Sequence, residues 1–154
     1  MLRMNSRGFT LIELMVTLAI LAVVAAIAVP AYTAYSERTY RTEAQADLLS
    51  AAQAMERFAS INFSYENSAD TDGDGAGDAN AGPLAADIYQ ARSEDQARYA
   101  LTIAAAAGTF VITATPADPG VMEEDGIMTI DEAGNRRWDR DNDGLGATDN
   151  NWEE

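Results

Sequence analysis

The chain has 154 residues, with 25 acidic residues against 10 arginines, no lysine and a formal net charge of −15; that length suits one domain of ordinary size plus an appendage. Cysteine and histidine are both absent, which excludes disulfides, thiol nucleophiles, the commonest general base and the usual transition-metal ligands. So large an acidic excess also weighs against nucleic acid as a partner, because affinity for a phosphate backbone rests on cationic neutralisation.

Residues 9–29 form an apolar run of 21 residues interrupted by one charge, Glu13. At about 1.5 Å of rise per residue, a helix of this length crosses roughly 30 Å of hydrocarbon. A buried core helix is the alternative, but so small a domain has little room to enclose one on all sides. Arg3 and Arg7 precede the run without an acid, whereas residues 31–154 carry 8 Arg against 24 Asp plus Glu. That asymmetry predicts a single membrane pass with the N-terminus in the cytoplasm and the acidic body outside. No Ala-x-Ala site follows cleanly, so the segment reads as an anchor and not as an ordinary secretory signal. Tyr32, Tyr35 and Tyr40, just beyond it, read as interfacial anchors or packing residues.

Pro30 lacks a donor N–H and its ring crowds the carbonyl four residues back, so a kink or local opening is expected there. Helix then resumes across 31–60. Ala44, Leu48, Ala51, Ala52, Met55, Phe58 and Ala59 recur at three- and four-residue steps, while Glu37, Arg41, Glu43, Asp47 and Arg57 take other faces, the pattern of an amphipathic helix. Residues 61–97 lack periodicity and read as a long loop with a short helix around Leu84–Ala91. In residues 98–154, "RYALTIAA" and "TFVITATP" alternate as a hairpin turning at Gly108, "GIMTID" is a third strand and "RRW" a fourth. The expected fold class is α+β: one long N-terminal α-helix, membrane-spanning in its first half and amphipathic in its second, packed on a small antiparallel sheet of three to four strands.

The opening "RGFTLIE" with Pro30 resembles the type IV pilins and the pseudopilins of secretion systems, whose leader ends in glycine before Phe-Thr-Leu-Ile-Glu. "PAYTAYSERTYRTEAQADLLSAAQAMERF", "YALTI", "FVITATP" and "DGIMTIDEAGNRRW" extend the resemblance along most of the chain to minor pilins of the PilE type. The resemblance implies that residues 1–8 are a prepilin leader removed after Gly8 by a prepilin peptidase, with N-methylation of the new Phe9 amine. It implies that Glu13 pairs with the Phe9 amine of a neighbouring pilin subunit as residues 9–30 stack into a filament core. It also implies local loss of helix at Pro30 in the fibre, membrane lipid as the surroundings before assembly, inner-membrane assembly machinery as a partner, and an extracellular pilus as the destination. A lone carboxylate deep in lipid costs about 2.5–3.5 kcal/mol on insertion scales, and a partner ammonium offsets part of that. Snorkelling to the interface, or pairing with its own chain's amine about 6 Å away along the axis, would also satisfy Glu13.

Domains of this type commonly close their C-terminal loop with a disulfide; here Asp125 stands where a cysteine often would. Carboxylates offer another clamp. Asp70, Asp72, Asp74, Gly75 and Asp78 occupy positions 1, 3, 5, 6 and 9 of an EF-hand-like loop, converging oxygens on a hard cation while glycine permits the sharp turn. Position 12 is Ala81, so the bidentate Glu is missing and Asn80 or a distant residue would complete the shell. The second stretch offers Asp139, Asp141, Asp143, Gly144, the Leu145 carbonyl and Asp149, and resembles the C-terminal calcium loop of major pseudopilins, including the closing Trp152. Arg140 lies inside it and Asp149 falls off the usual spacing. Calcium is the expected cofactor, since magnesium prefers tight octahedral shells with retained water; solvated acidic turns are the bland alternative.

Three functions fit: a structural minor pilin supporting pilus biogenesis, adhesion or motility; a pseudopilin of a type II secretion system; or a membrane-tethered calcium-binding module that does not polymerise. No catalytic constellation is present, and the paired carboxylates suit a cation better than glycoside hydrolysis. Arg136, Arg137 and Arg140 are too few, and too surrounded by acid, to mark a DNA surface.

Overall fold

The structure, a computed structural model, describes residues 9–91, 98–117, 120–146 and 148–153. Residues 1–8, the expected leader ending in Gly8, lie outside them. The elements run α1 (Leu11–Asn62), β1 (Ala81–Pro83), β2 (Tyr99–Ala106), β3 (Thr109–Pro116), β4 (Met128–Asp131) and β5 (Arg136–Trp138). The chain divides into two compact units between Ser36 and Glu37, and α1 contributes to both.

In the first unit every described residue up to Tyr35 is exposed. This part of α1 reaches a mean hydropathy of 2.7 over 18 residues, long and apolar enough to cross a membrane. α1 begins with a reciprocal cap: the Glu13 backbone N–H donates to Thr10 Oγ1 at 3.3 Å, and Glu13 Oε2 accepts from the Thr10 N–H at 2.8 Å and from its hydroxyl at 2.7 Å. Two donors left orphaned at the helix start are thereby satisfied. Of the kink or local opening expected at Pro30, the single chain shows no opening, and helix continues through it. The Thr33 hydroxyl donates to the Pro30 carbonyl at 2.9 Å.

In the second unit the sheet has order β1-β2-β3-β4-β5, antiparallel throughout. It has five strands where three to four were expected. Register aligns Leu101 with Ala114, Met128 and Trp138 in one cross-strand row, and Ile103 with Ile112 and Ile130 in the next. These rows are buried together with Ala44, Leu48, Ala51 and Met55 of α1, so the helix stripe and one face of the sheet form a single core. The hairpin turns at Gly108 as expected, with β2 running to Ala106 and leaving Ala107–Gly108 as a two-residue loop.

Residues 61–91 also hold more order than their composition promised, the rest of the expected 61–97 loop lying outside the described residues. β1 forms there because Ala81, Gly82 and Pro83 pair with Ala104, Ile103 and Thr102. Ala69 bridges to both Ala79 and Leu84. No helix spans Leu84–Ala91: Ile88 and Tyr89 N–H groups both reach the Ala85 carbonyl at 3.1 Å, a single turn. Too few residues follow Ala85 in phase for helix propagation to recover the cost of nucleation. Asp47, assigned from sequence to a polar face, is 2% exposed and accepts from the Tyr89 hydroxyl at 2.7 Å; that bond satisfies the buried carboxylate and ties the turn to the helix.

Candidate functional site

At the head of the first unit, Phe9, Ile12, Glu13, Val16 and Thr17 line one shallow apolar hollow. Glu13 is thus satisfied within its own chain by Thr10, a fourth option beside the three expected from sequence. The signal was present as Thr-x-x-Glu before an apolar run, the capping-box pattern. Pro30 stands apart from this group, 17 positions along the chain from Glu13.

In the second unit the two Asp-rich loops share one construction. One oxygen from each of Asp70, Asp72 and Asp74 lies within 4.8 Å of the others, and the same holds for Asp139, Asp141 and Asp143. The first carboxylate of each set organises the turn by accepting backbone N–H groups. Asp70 takes those of Gly73 at 2.7 Å and Gly75 at 2.9 Å; Asp139 takes those of Asp143 at 3.1 Å and Gly144 at 3.0 Å. The glycine five residues on has positive φ in both, +92° at Gly75 and +101° at Gly144, a conformation that glycine adopts without strain. Every oxygen of Asp70 and Asp139 keeps a lone pair for a cation.

The two outlying carboxylates behave differently. Asp78 is not part of the first cluster; it accepts from the Thr71 N–H and hydroxyl, each at 3.0 Å. Asp149 is buried and accepts from the Gly146 N–H at 2.6 Å, close enough to act on its neighbours. The charge of Asp141 foremost, then desolvation, a hydrogen bond with Asp141, and the charges of Asp139 and Asp149 hold the Asp143 carboxyl above its ordinary value. Arg140 does not neutralise this cluster. Its guanidinium lies 4.9 Å from the Trp138 ring centroid and donates to the Glu153 carbonyl.

The second loop is fastened to the core at several points. Asp139 is 3% exposed, and its carbonyl sits where a Cβ on Gly126 would come within 1.4 Å. Trp152 Nε1 donates to the Arg137 carbonyl at 3.1 Å, and Gln45 of α1 donates to the Trp152 carbonyl at 3.3 Å. Next to this loop lies the junction made by Asp125. Arg41 reaches both its oxygens, Nη2 to Oδ1 at 2.8 Å and Nε to Oδ2 at 3.1 Å, and the Tyr99 hydroxyl donates to Oδ2 as well. The Arg41 guanidinium also lies 4.3 Å from the Trp138 ring centroid. An ion pair therefore occupies the place where a disulfide partner was missed, joining α1, β2 and the segment before β4.

A long helix with an apolar N-terminal half, whose second half packs on an antiparallel sheet, is the architecture of a type IV pilin. The family described as "Type IV minor pilin ComP, DNA uptake sequence receptor" matches residues 30–126, and the "Prokaryotic N-terminal methylation motif" matches residues 3–29. The first match covers more than half of the chain, and the protein belongs to that family of type IV minor pilins. No curated protein matches the sequence.

Proposed function

We propose that this chain is a structural subunit of a type IV pilus, cut after Gly8, methylated at Phe9 and assembled through residues 9–30, with Glu13 exchanging its contact with Thr10 for the Phe9 amine of an adjoining subunit. The observation that carries this reading is the run of exposed apolar side chains from Phe9 to Val29 under a methylation motif, with one carboxylate at its head. Such a surface is satisfied by lipid and then by other helices of its kind. The arginines flanking its start support an N-terminus in the cytoplasm before assembly.

The pseudopilin reading differs in its consequence: deletion of the gene would stop exoenzyme secretion and leave surface fibres intact. The filament reading expects loss or shortening of fibres with secretion unchanged. The family's description names a DNA uptake sequence, but several features support a structural role for this chain. Its charge is −15; Arg41 and Arg98 each face a carboxylate; Arg137 donates to the Gly146 carbonyl; Arg136 and Arg140 lie over Trp152 and Trp138.

Calcium in one or both Asp loops completes the proposal, with Asp139, Asp141, Asp143 and Asp149 as the stronger set and Asp70, Asp72 and Asp74 as the weaker. The repulsion that raises the Asp143 carboxyl is what a divalent cation relieves. Titration of the purified chain with calcium is expected to release heat and raise the melting temperature, by about 2.7 kcal/mol of stabilisation at a hundredfold excess over Kd. Asp139→Ala should remove most of that gain. Absence of both heat and shift at millimolar calcium would dispose of the cation.

A further inference from the structure

We infer that the second unit pairs with a second copy of this chain through a two-fold contact at the C-terminal end of α1, Phe63 of each copy entering a hollow of the other. Ala54, Phe58, Ile61 and Ile88 line a hollow of about 210 Å³, and the exposed Arg57 and Asp87 complete its lining. A cavity of about 150 Å³ admits benzene, so this one has room for a phenyl ring.

Phe63 is the group that fits it. It stands two residues beyond Ile61, itself 76% exposed, and its own side chain is 92% exposed. Its N–H closes α1 on the Ala59 carbonyl at 2.8 Å with φ at +57°. This left-handed position after a helix is ordinarily glycine's, and a bulky residue there is strained. The ring takes no part in its own core and does not line the hollow beside it. Only another molecule can bury it and so offset the strain.

Charge selects which molecule that is. Among the described residues the side chains of Arg57 and Asp87 have no hydrogen-bond or ion-pair partner. An apolar hollow that carries one cation and one anion is its own complement. A two-fold axis brings Arg57 of each copy to Asp87 of the other while each ring takes the facing hollow, whereas a partner of uniform sign would leave one of the two charges unpaired. The net charge of −15 opposes the contact at long range; salt at about 0.15 M, with a screening length of about 8 Å, removes most of that repulsion and spares pairs in contact. A patch this small makes a weak, transient pair.

The test uses the full chain in detergent micelles at about 0.15 M salt, with Glu13→Ala present so that pairing through residues 9–30 does not contribute. The chain has no cysteine of its own, so one placed at the exposed Gln53 carries donor or acceptor fluorophores for energy transfer. Transfer is expected to rise with protein concentration to a plateau, at millimolar to high micromolar Kd. Phe63→Gly, which relaxes the backbone at that position, is expected to weaken pairing at least about tenfold with no loss of melting temperature. Arg57→Asp and Asp87→Arg should each weaken self-pairing about tenfold, and an equal mixture of the two should restore transfer to the wild-type level or above, because each copy then meets its opposite charge. No concentration-dependent transfer would overturn the proposal, as would transfer that Phe63→Gly leaves intact, or a mixture of the two charge variants that pairs no better than either alone.

Discussion

Glu13→Ala in the native chain leaves the protein in the membrane and out of surface fibres. Two opposed effects set this outcome. Removing the carboxylate makes the single helix more comfortable in lipid, by up to about 2.5–3.5 kcal/mol at mid-bilayer and less near the interface. It also deletes the group that a neighbouring Phe9 amine is proposed to meet. Both effects favour the unassembled state, so the amount of this chain recovered in sheared fibres should fall at least about tenfold, the consequence of only about 1.4 kcal/mol per contact. Because Glu13 also caps α1 through Thr10, loss of helix start is a competing explanation. Glu13→Gln separates them. Glutamine serves in a capping box as well as glutamate does, so a Gln variant that still fails to assemble locates the requirement in the charge. Incorporation of Glu13→Gln at the wild-type level would mean that the cap, and not an ammonium partner, is what Glu13 provides.

Arg41→Ala is expected to destabilise the second unit strongly. The Arg41 and Asp125 side chains are only 13% and 10% exposed. Truncating the guanidinium leaves a largely buried carboxylate without its cation, removes the hydrogen bonds to both of its oxygens and takes a cation off the Trp138 ring. Breaking such a pair from one side costs about 3–5 kcal/mol, a large part of the stability of a domain this size. Thermal or urea unfolding should report a loss of about 3 kcal/mol, and a loss below about 1 kcal/mol would show that the junction does not tie helix to sheet.

The same junction predicts a pH dependence. Burial first, then the hydrogen bond to Asp125 and its charge, push the Tyr99 hydroxyl well above the usual tyrosine range. The folded state thus holds its proton more tightly than the unfolded chain does. Its contribution is complete below a pH of about 10, the unfolded value, and is lost as pH rises toward the folded one. Stability should fall on the alkaline side, and Tyr99→Phe should flatten that fall.

What could be read in the sequence follows from how local each signal is. The apolar run of 9–29 is continuous and the amphipathic stripe repeats within a few residues, so both parts of α1 were legible, and Tyr99, Leu101 and Ile103 alternate within one strand, so their burial was legible too. β1 was not, because Ala81–Pro83 has no period of its own and is strand only by pairing with β2. Asp47 looked like a solvated residue because its partner, Tyr89, comes from 42 positions away. Arg41 and Asp125, 84 positions apart, leave no local trace either. The Asp loops are the reverse case: their spacing placed three carboxylates of each together, while the role of Asp78 depended on Thr71, which belongs to no metal-loop pattern. Thr10 shows that a local signal can still be overlooked when a residue next to it, Glu13, has a second reading.

The central claim is that the apolar N-terminal helix is an assembly spine made by processing. Mass spectrometry of the chain isolated from sheared surface fibres tests it most directly. A polypeptide beginning at Phe9 with a methylated amine is expected. An unprocessed chain still carrying "MLRMNSRG", recovered from membranes and absent from fibres, would contradict it.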